Sequence, residues 1–454
     1  MRTRTTAKGV SVAFALTLIA AASCSEDRKE SDCTVGTAEG CGSGEVCEQT
    51  TSGVPGCFPP ILVQGRVTNA VGGVGVAGAL VVALDVNGAA LSGTATTDAA
   101  GNYSLPVPVV RDEAGNPAGE QSCTLRSDAR GFQSFPTPPR VALPIKVSAP
   151  VNGVVASAAT NIALLPLATT AGTGTITGKV ALPIPAGTLV VAGGSTAVVS
   201  SKGSFTLFNV PVGAVTVTGY RQGTNLAPAA VTVTAGATTA GVTLSPSGQP
   251  AVNVSGKVSI VNPGGGSLTS VILVVAETFV ATAARGESPP GLRAPNVSGD
   301  FVISGVPNGT YMVLAAFEND LLVRDPDTCI GGTAIVTVTV AGADVVLPDS
   351  FKITGALAVV SPDNEELVSA TPTFVWVDDS SEDQYDVAVY DAFGVLVWDN
   401  PAVPSVSGGA NASVVYAGPP LVPGMVYQFR ATSIRKGNCP ISRTEDLRGV
   451  FRVM

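Results

Sequence analysis

Histidine is missing from all 454 residues. Its absence removes Ser-His-Asp and Cys-His nucleophilic catalysis, histidine-bearing zinc sites, and the commonest general base near neutral pH. Charge is also sparse: Asp, Glu, Lys and Arg make up 13% of the chain and aromatic residues 5%, against 45% hydrophobic residues. No excess of basic charge is present to hold a nucleic acid, because the formal net charge is -9; an acidic balance of this kind keeps an exported surface soluble. Gly (52) and Pro (33) are abundant, yet together they stay below the share, roughly 25–30%, at which chains become low-complexity and disordered. Valine, alanine, threonine and glycine dominate what remains, the mixture of short strands joined by small-residue turns, so composition predicts an all-β fold. At roughly 100–200 residues per domain, the length predicts three to five units.

The amino terminus carries Arg2, Arg4 and Lys8, then the apolar run 10–22 (VSVAFALTLIAAA), then Ser23 and Cys24. A basic head, a short apolar core and small residues form a secretory signal, too short to span a bilayer as a helix. Residues Ala21, Ala22, Ser23 and Cys24 resemble the lipobox of bacterial lipoproteins, with Ala21 where Leu is usual. That resemblance implies cleavage before Cys24 and acylation of its thiol, which makes the membrane a partner through an N-terminal lipid anchor. An ordinary signal peptide, with Cys24 a nearby disulfide cysteine, is the competing reading. The following SEDRKESD is a polar tether, and Ser25 stands where an Asp would resemble an inner-membrane retention signal. The expected address is therefore the outer membrane.

Cys33, Cys41, Cys47 and Cys57 crowd a stretch too short for its own core. In an oxidising compartment this reads as two disulfides, with three connectivities open. A Cys₄ zinc site would need paired C-x₂₋₄-C arms, which the spacing lacks. Of Cys123, Cys329 and Cys439, at most one pair can form, leaving one thiol over.

From residue 61 a motif recurs three times. Gly-x-Val stands at 65–67, 178–180 and 256–258, and a turn of glycine, a small or polar residue and an aromatic stands at 101–103, 203–205 and 299–301. Two copies add Val210, Pro211, Val212, Gly213 and Val306, Pro307, Asn308, Gly309. Glycine permits the tight turn, and the aromatic opens an inward-facing strand. These units resemble carboxypeptidase regulatory-like domains, which are transthyretin-like β-sandwiches. The pattern is fullest in the first copy (Val76, Gly78, Ala79, Val81, Thr97, Asp98, Gly101, Tyr103) and weakest in the second, which lacks the Thr-Asp pair and has Val215 in place of the final tyrosine. The family's peptidase is a separate domain, so the resemblance implies no activity. Further on, Leu421, Pro423, Gly424 and Tyr427 resemble the corner of a fibronectin type III domain, with Trp376 as its core tryptophan.

The expected organisation is a signal peptide (1–23), a tether and Cys-rich segment (24–60), regulatory-like sandwiches at 61–170, 171–248 and 249–349, and a fibronectin type III or Ig-like sandwich at 353–454. The expected fold class is all-β: tandem antiparallel β-sandwiches after a short disulfide-rich segment. Asp378, Asp379, Glu382 and Asp383 are calcium candidates by their oxygen ligands, although the D-x-D-x-D-G alternation of a known loop is missing. Trp398, near Tyr390 and Phe393, is a candidate glycan platform or else a core residue. No cofactor and no catalytic residue is expected. The predicted function is a non-enzymatic, lipid-anchored envelope protein acting as spacer, scaffold or adhesion module for a protein or glycan partner, with an accessory polysaccharide- or solute-binding lipoprotein as the alternative.

Overall fold

The computed structural model describes residues 33–261, 268–315, 322–324, 335–348, 350–379, 381–407, 409–435 and 438–454. Cys24 and Cys329 lie outside the described residues. Among those described, the regular elements are β-strands and three single 3₁₀ turns. Alternation builds them: in Asn102–Val107, Tyr103, Leu105 and Val107 point inward while Asn102, Ser104 and Pro106 face out. The all-β reading of tandem sandwiches holds, with most neighbouring strands antiparallel.

The three repeats share one construction. The opening strand of each, Ile61–Asn69, Thr173–Val180 or Val252–Ile260, carries the Gly-x-Val motif. On one side it pairs antiparallel with the strand of the Gly-x-aromatic turn, and on the other it pairs in parallel with a strand closing its own unit. The two motifs are cross-strand partners: Gly65 faces Tyr103, Gly178 faces Phe205 and Gly256 faces Phe301. The aromatic side chain lies over the glycine, so that a Cβ would meet Tyr103 Oη at 2.9 Å, the Phe205 ring at 2.5 Å and the Phe301 ring at 2.9 Å. A bare glycine is required because the space is filled from two sides: a Cβ would also meet the Thr160 carbonyl oxygen at 2.0 Å from Gly65, the Val242 carbonyl oxygen at 2.2 Å from Gly178 and the Leu347 side chain at 2.9 Å from Gly256. The valine two residues on donates its N–H to the carbonyl of the turn glycine in all three copies, Val67 to Gly101 (2.8 Å), Val180 to Gly203 (2.9 Å) and Val258 to Gly299 (2.9 Å). Gly101 and Gly203 hold φ of +85° and +80°, which residues with a side chain rarely adopt.

The closing strand of the third unit is Phe351–Gly355, so this sandwich runs past the expected edge at 349. The fourth unit packs the sheet Val359–Ser361, Thr373–Trp376, Ala412–Val415 against one built on Gln384–Asp391 and Val426–Arg435. Trp376 is fully buried there, edge-on to Tyr385 at 5.1 Å. Tyr427 turns its hydroxyl back to accept the Val422 N–H at 2.9 Å, a corner of the kind the sequence suggests.

The sandwiches do not form a string. Leu189, Val191 and Tyr220 of the second unit belong to the hydrophobic core of the third. Ala392, Val426 and Val450 of the fourth belong to the core of the first. Two fused pairs result, one of the first and fourth sandwiches and one of the second and third. Among the described residues, no hydrophobic cluster holds members of both pairs.

Candidate functional site

Where the two pairs meet, side-chain hydrogen bonds and ion pairs cross between them, and strand Ser122–Asp128 supplies their centre. Arg126 and Asp128, two apart, sit on one face of that strand. The Arg126 guanidinium, with 3% of its side chain exposed, donates to Asp128 at 2.8 Å and to Glu287 of the third sandwich at 2.5 Å. It also reaches Thr196 of the second, bonding Oγ1 at 2.6 Å and the carbonyl at 3.2 Å. One side chain thus holds three sandwiches. Burial works against its charge, but Asp128 and Glu287 outweigh this and hold its pKa above the ordinary arginine value. Burial raises the Glu287 carboxyl above its ordinary range, with Arg126 opposing.

The rest of the seam has the same character. Asn209 of the second sandwich donates to the carbonyls of Ala129 (3.1 Å) and Phe132 (2.9 Å) and accepts the Gly131 N–H (2.8 Å). Ser270 donates to Asn87 at 3.1 Å. Between third and fourth sandwiches, Arg285 pairs with Asp446, which Arg430 also holds at 2.9 Å.

The Cys-rich segment closes two disulfides, Cys33–Cys47 and Cys41–Cys57. Cys33, Cys41 and Cys47 bring their sulfurs within 4.8 Å of one another, but all are consumed in these bonds and none is available as a metal thiolate. The knob is clamped to the first sandwich by Glu48 and Arg111, a buried pair at 2.5 Å. Arg111 also donates to the carbonyls of Pro59 (2.9 Å) and Gly115 (3.1 Å), and lies over the Phe58 ring at 5.3 Å. Burial raises the Glu48 pKa, with Arg111 opposing it. Cys439 is disulfide-bonded. Cys123 is a free thiol sealed in the first core, its pKa pushed by burial up to about 12.

The acidic loop of the fourth sandwich works largely inward. Asp378 accepts the Tyr385 hydroxyl at 2.7 Å; Asp379 accepts Ser433 at 2.7 Å and Ser381 at 3.0 Å. Glu382 is raised above its ordinary range by burial and then by the neighbouring Asp378 and Asp379. Asp383 is exposed, and its backbone N–H bonds Ile434 at 2.9 Å. Trp398 is half-buried against Tyr416 (5.2 Å) and Phe374 (6.2 Å), Tyr390 lies under the Arg430 guanidinium, and the Phe393 carbonyl takes two bonds from Arg140. These aromatics join cores and joints instead of forming a shared platform.

The sequence reading missed the seam. Its one local signal was Arg126 and Asp128 on the same face of a strand in a chain poor in charge; their partners at 196 and 287 carry no mark.

No protein-family model matches the chain, and no curated protein matches it. Among solved structures it is similar to the Bacillus anthracis TIE protein, at 10% identity over 83% of this chain and 68% of that one, with a TM-score of 0.16. A DUF3823 family protein from Bacteroides ovatus matches at 10% identity over 44% of this chain and 98% of its own, with a TM-score of 0.21. BcpA, the major pilin subunit of Bacillus cereus, matches at 11% identity over 65% and 99%, with a TM-score of 0.17.

Proposed function

We propose that the chain is a non-enzymatic scaffold or adhesion block of a cell envelope, held to the outer membrane by acylated Cys24. The observation that carries the reading is the continuous mechanical path from the amino-terminal side into the block. Two disulfides staple the knob, the buried Glu48–Arg111 pair clamps it to the first sandwich, and Arg126 ties that sandwich to two others. Tension on the tether therefore reaches the core through cross-links and buried ion pairs. An extended spacer would instead keep its sandwiches apart, so the compact arrangement favours the scaffold over the spacer. Chemistry offers little competition: with no histidine in the chain, Ser433 hydrogen-bonds Asp379 but is fully buried, and Ser134 bonds Asp128, whose carboxylate already holds Arg126.

Two measurements test this. Intact mass of the protein from its native envelope, beside Cys24→Ser, should show a mature chain starting at Cys24 with acyl mass that the variant lacks. Where limited proteolysis nicks 165–172 and 245–251, the exposed segments joining successive sandwiches, the pieces should stay associated as one particle on gel filtration. An unmodified chain released to the medium would defeat the anchor, and sandwiches that elute singly would defeat the block.

A further inference from the structure

We propose that the mouth of the seam between the first and second sandwiches is a binding cleft for a small apolar carboxylate, a role beyond the scaffold reading and independent of it. The cleft is open to solvent, holds about 460 Å³ and is lined by Asn69, Val74, Ala77, Arg130 and Phe132 of the first sandwich and Phe208 of the second. That volume is within the range of about 300–1,000 Å³ that small-ligand sites occupy, and boundaries between domains are where such sites concentrate. Its walls are fixed in advance. Asn209, the neighbour of Phe208, binds the backbone of Ala129, Gly131 and Phe132 through all three of its side-chain contacts, and so sets the two half-buried phenylalanines relative to each other.

The lining dictates the ligand. Val74, Ala77, Phe132 and Phe208 suit an aliphatic or aromatic body. Val74, 68% exposed, lines the cleft and stands to gain from burial under a ligand. Arg130 is exposed and anchors one guanidinium nitrogen on the Gly236 carbonyl at 2.8 Å, leaving other N–H donors to bond a single anionic head. One arginine beside an apolar wall matches one carboxylate or sulfonate on an apolar body, and a polyanion would find only one cation there.

The full chain is titrated with 8-anilinonaphthalene-1-sulfonate, which has an apolar body and one negative charge, and with N-phenyl-1-naphthylamine, which keeps the body without the charge. Each is followed by fluorescence, with circular dichroism and melting confirming that every variant is folded. We expect one saturable site for the sulfonate. Arg130→Gln should weaken it about tenfold, equal to about 1.4 kcal/mol, and leave the neutral probe unchanged. Ala77→Trp should abolish binding of both by filling the cleft. Val74→Glu, at a position too exposed to disturb the core, should weaken the sulfonate more than the neutral probe. The proposal is overturned if no saturable site is found, if sulfonate binding survives both Ala77→Trp and Val74→Glu, or if Arg130→Gln leaves the sulfonate affinity unchanged.

Discussion

The joints inside each fused pair and the seam between the pairs use opposite chemistry. Tyr220 meets Tyr311 edge-on at 5.9 Å inside a core shared by the second and third sandwiches, and burial of such side chains is adhesive without being directional. The seam relies on Arg126, Asn209 and the Arg285–Asp446–Arg430 contacts. A buried ion pair adds little net stability over an apolar replacement, but a misplaced partner leaves a charge unpaired, so it penalises wrong orientations. Apolar joints make the pairs, and the polar seam selects how the pairs sit.

Removing Arg126 should break the contrast most sharply. Arg126→Ala strands Asp128 and Glu287 together, for a loss on the order of 3–5 kcal/mol. The damage should appear as separation of the pairs, visible as a larger radius of gyration by small-angle scattering and as two melting transitions replacing one. A compact particle that simply melts earlier in one step would mean that the seam does not act as a unit. Tyr220→Ala, at the apolar joint, should cost about 3 kcal/mol through the cavity it leaves and should lower the melting of the second and third sandwiches without opening the seam. Asn209→Ala is milder: two of its three backbone partners, Gly131 and Phe132, are only half-buried, so water replaces part of what is lost, and about 1–2 kcal/mol is expected from chemical denaturation.

Much of the scaffold was legible because its signals are local. Gly-x-Val and Gly-x-aromatic announced strands and turns, and the structure adds that the two motifs face each other, with Tyr103, Phe205 and Phe301 lying over Gly65, Gly178 and Gly256. The resemblance to a fibronectin type III corner marked Trp376 and Tyr427, and both are buried in the fourth core. The knob's disulfides were legible as a class, whereas the pairing Cys33–Cys47 and Cys41–Cys57 depends on how the chain folds back. The arrangement of sandwiches was illegible for a related reason. Arg126 lies 161 residues from Glu287 and 70 from Thr196, and nothing in the spacing of single polar residues shows which distant ones will meet. Val426 and Val450 open strands of the fourth sandwich, and nothing in the alternation of those strands says that the first sandwich's core takes them.

Titration gives the smallest effect and the sharpest sign. Burial lifts Glu287 above its ordinary value, and the same holds for Glu48. The folded state then keeps protons that the unfolded chain has already released, so acidification favours folding over this window. The contribution is complete below the ordinary glutamate range and is lost as pH rises through the raised values. Asp98 and Asp112 act in the other direction: backbone N–H groups of Asn102 and Asn116 lower their values, so their contribution is present above the ordinary aspartate range and is lost as pH falls through the depressed values. The melting temperature should therefore hold or rise from neutral pH down to the glutamate range, and decline only below it. Protonated Glu287 still accepts from Arg126, which keeps Asp128 as its charged partner, so Glu287→Gln should be nearly neutral in stability and should flatten the upper limb of this curve. A melting temperature that instead falls steadily from neutral pH, with Glu287→Gln removing the fall, would show that the ionic attraction across the seam outweighs the burial of its carboxylate.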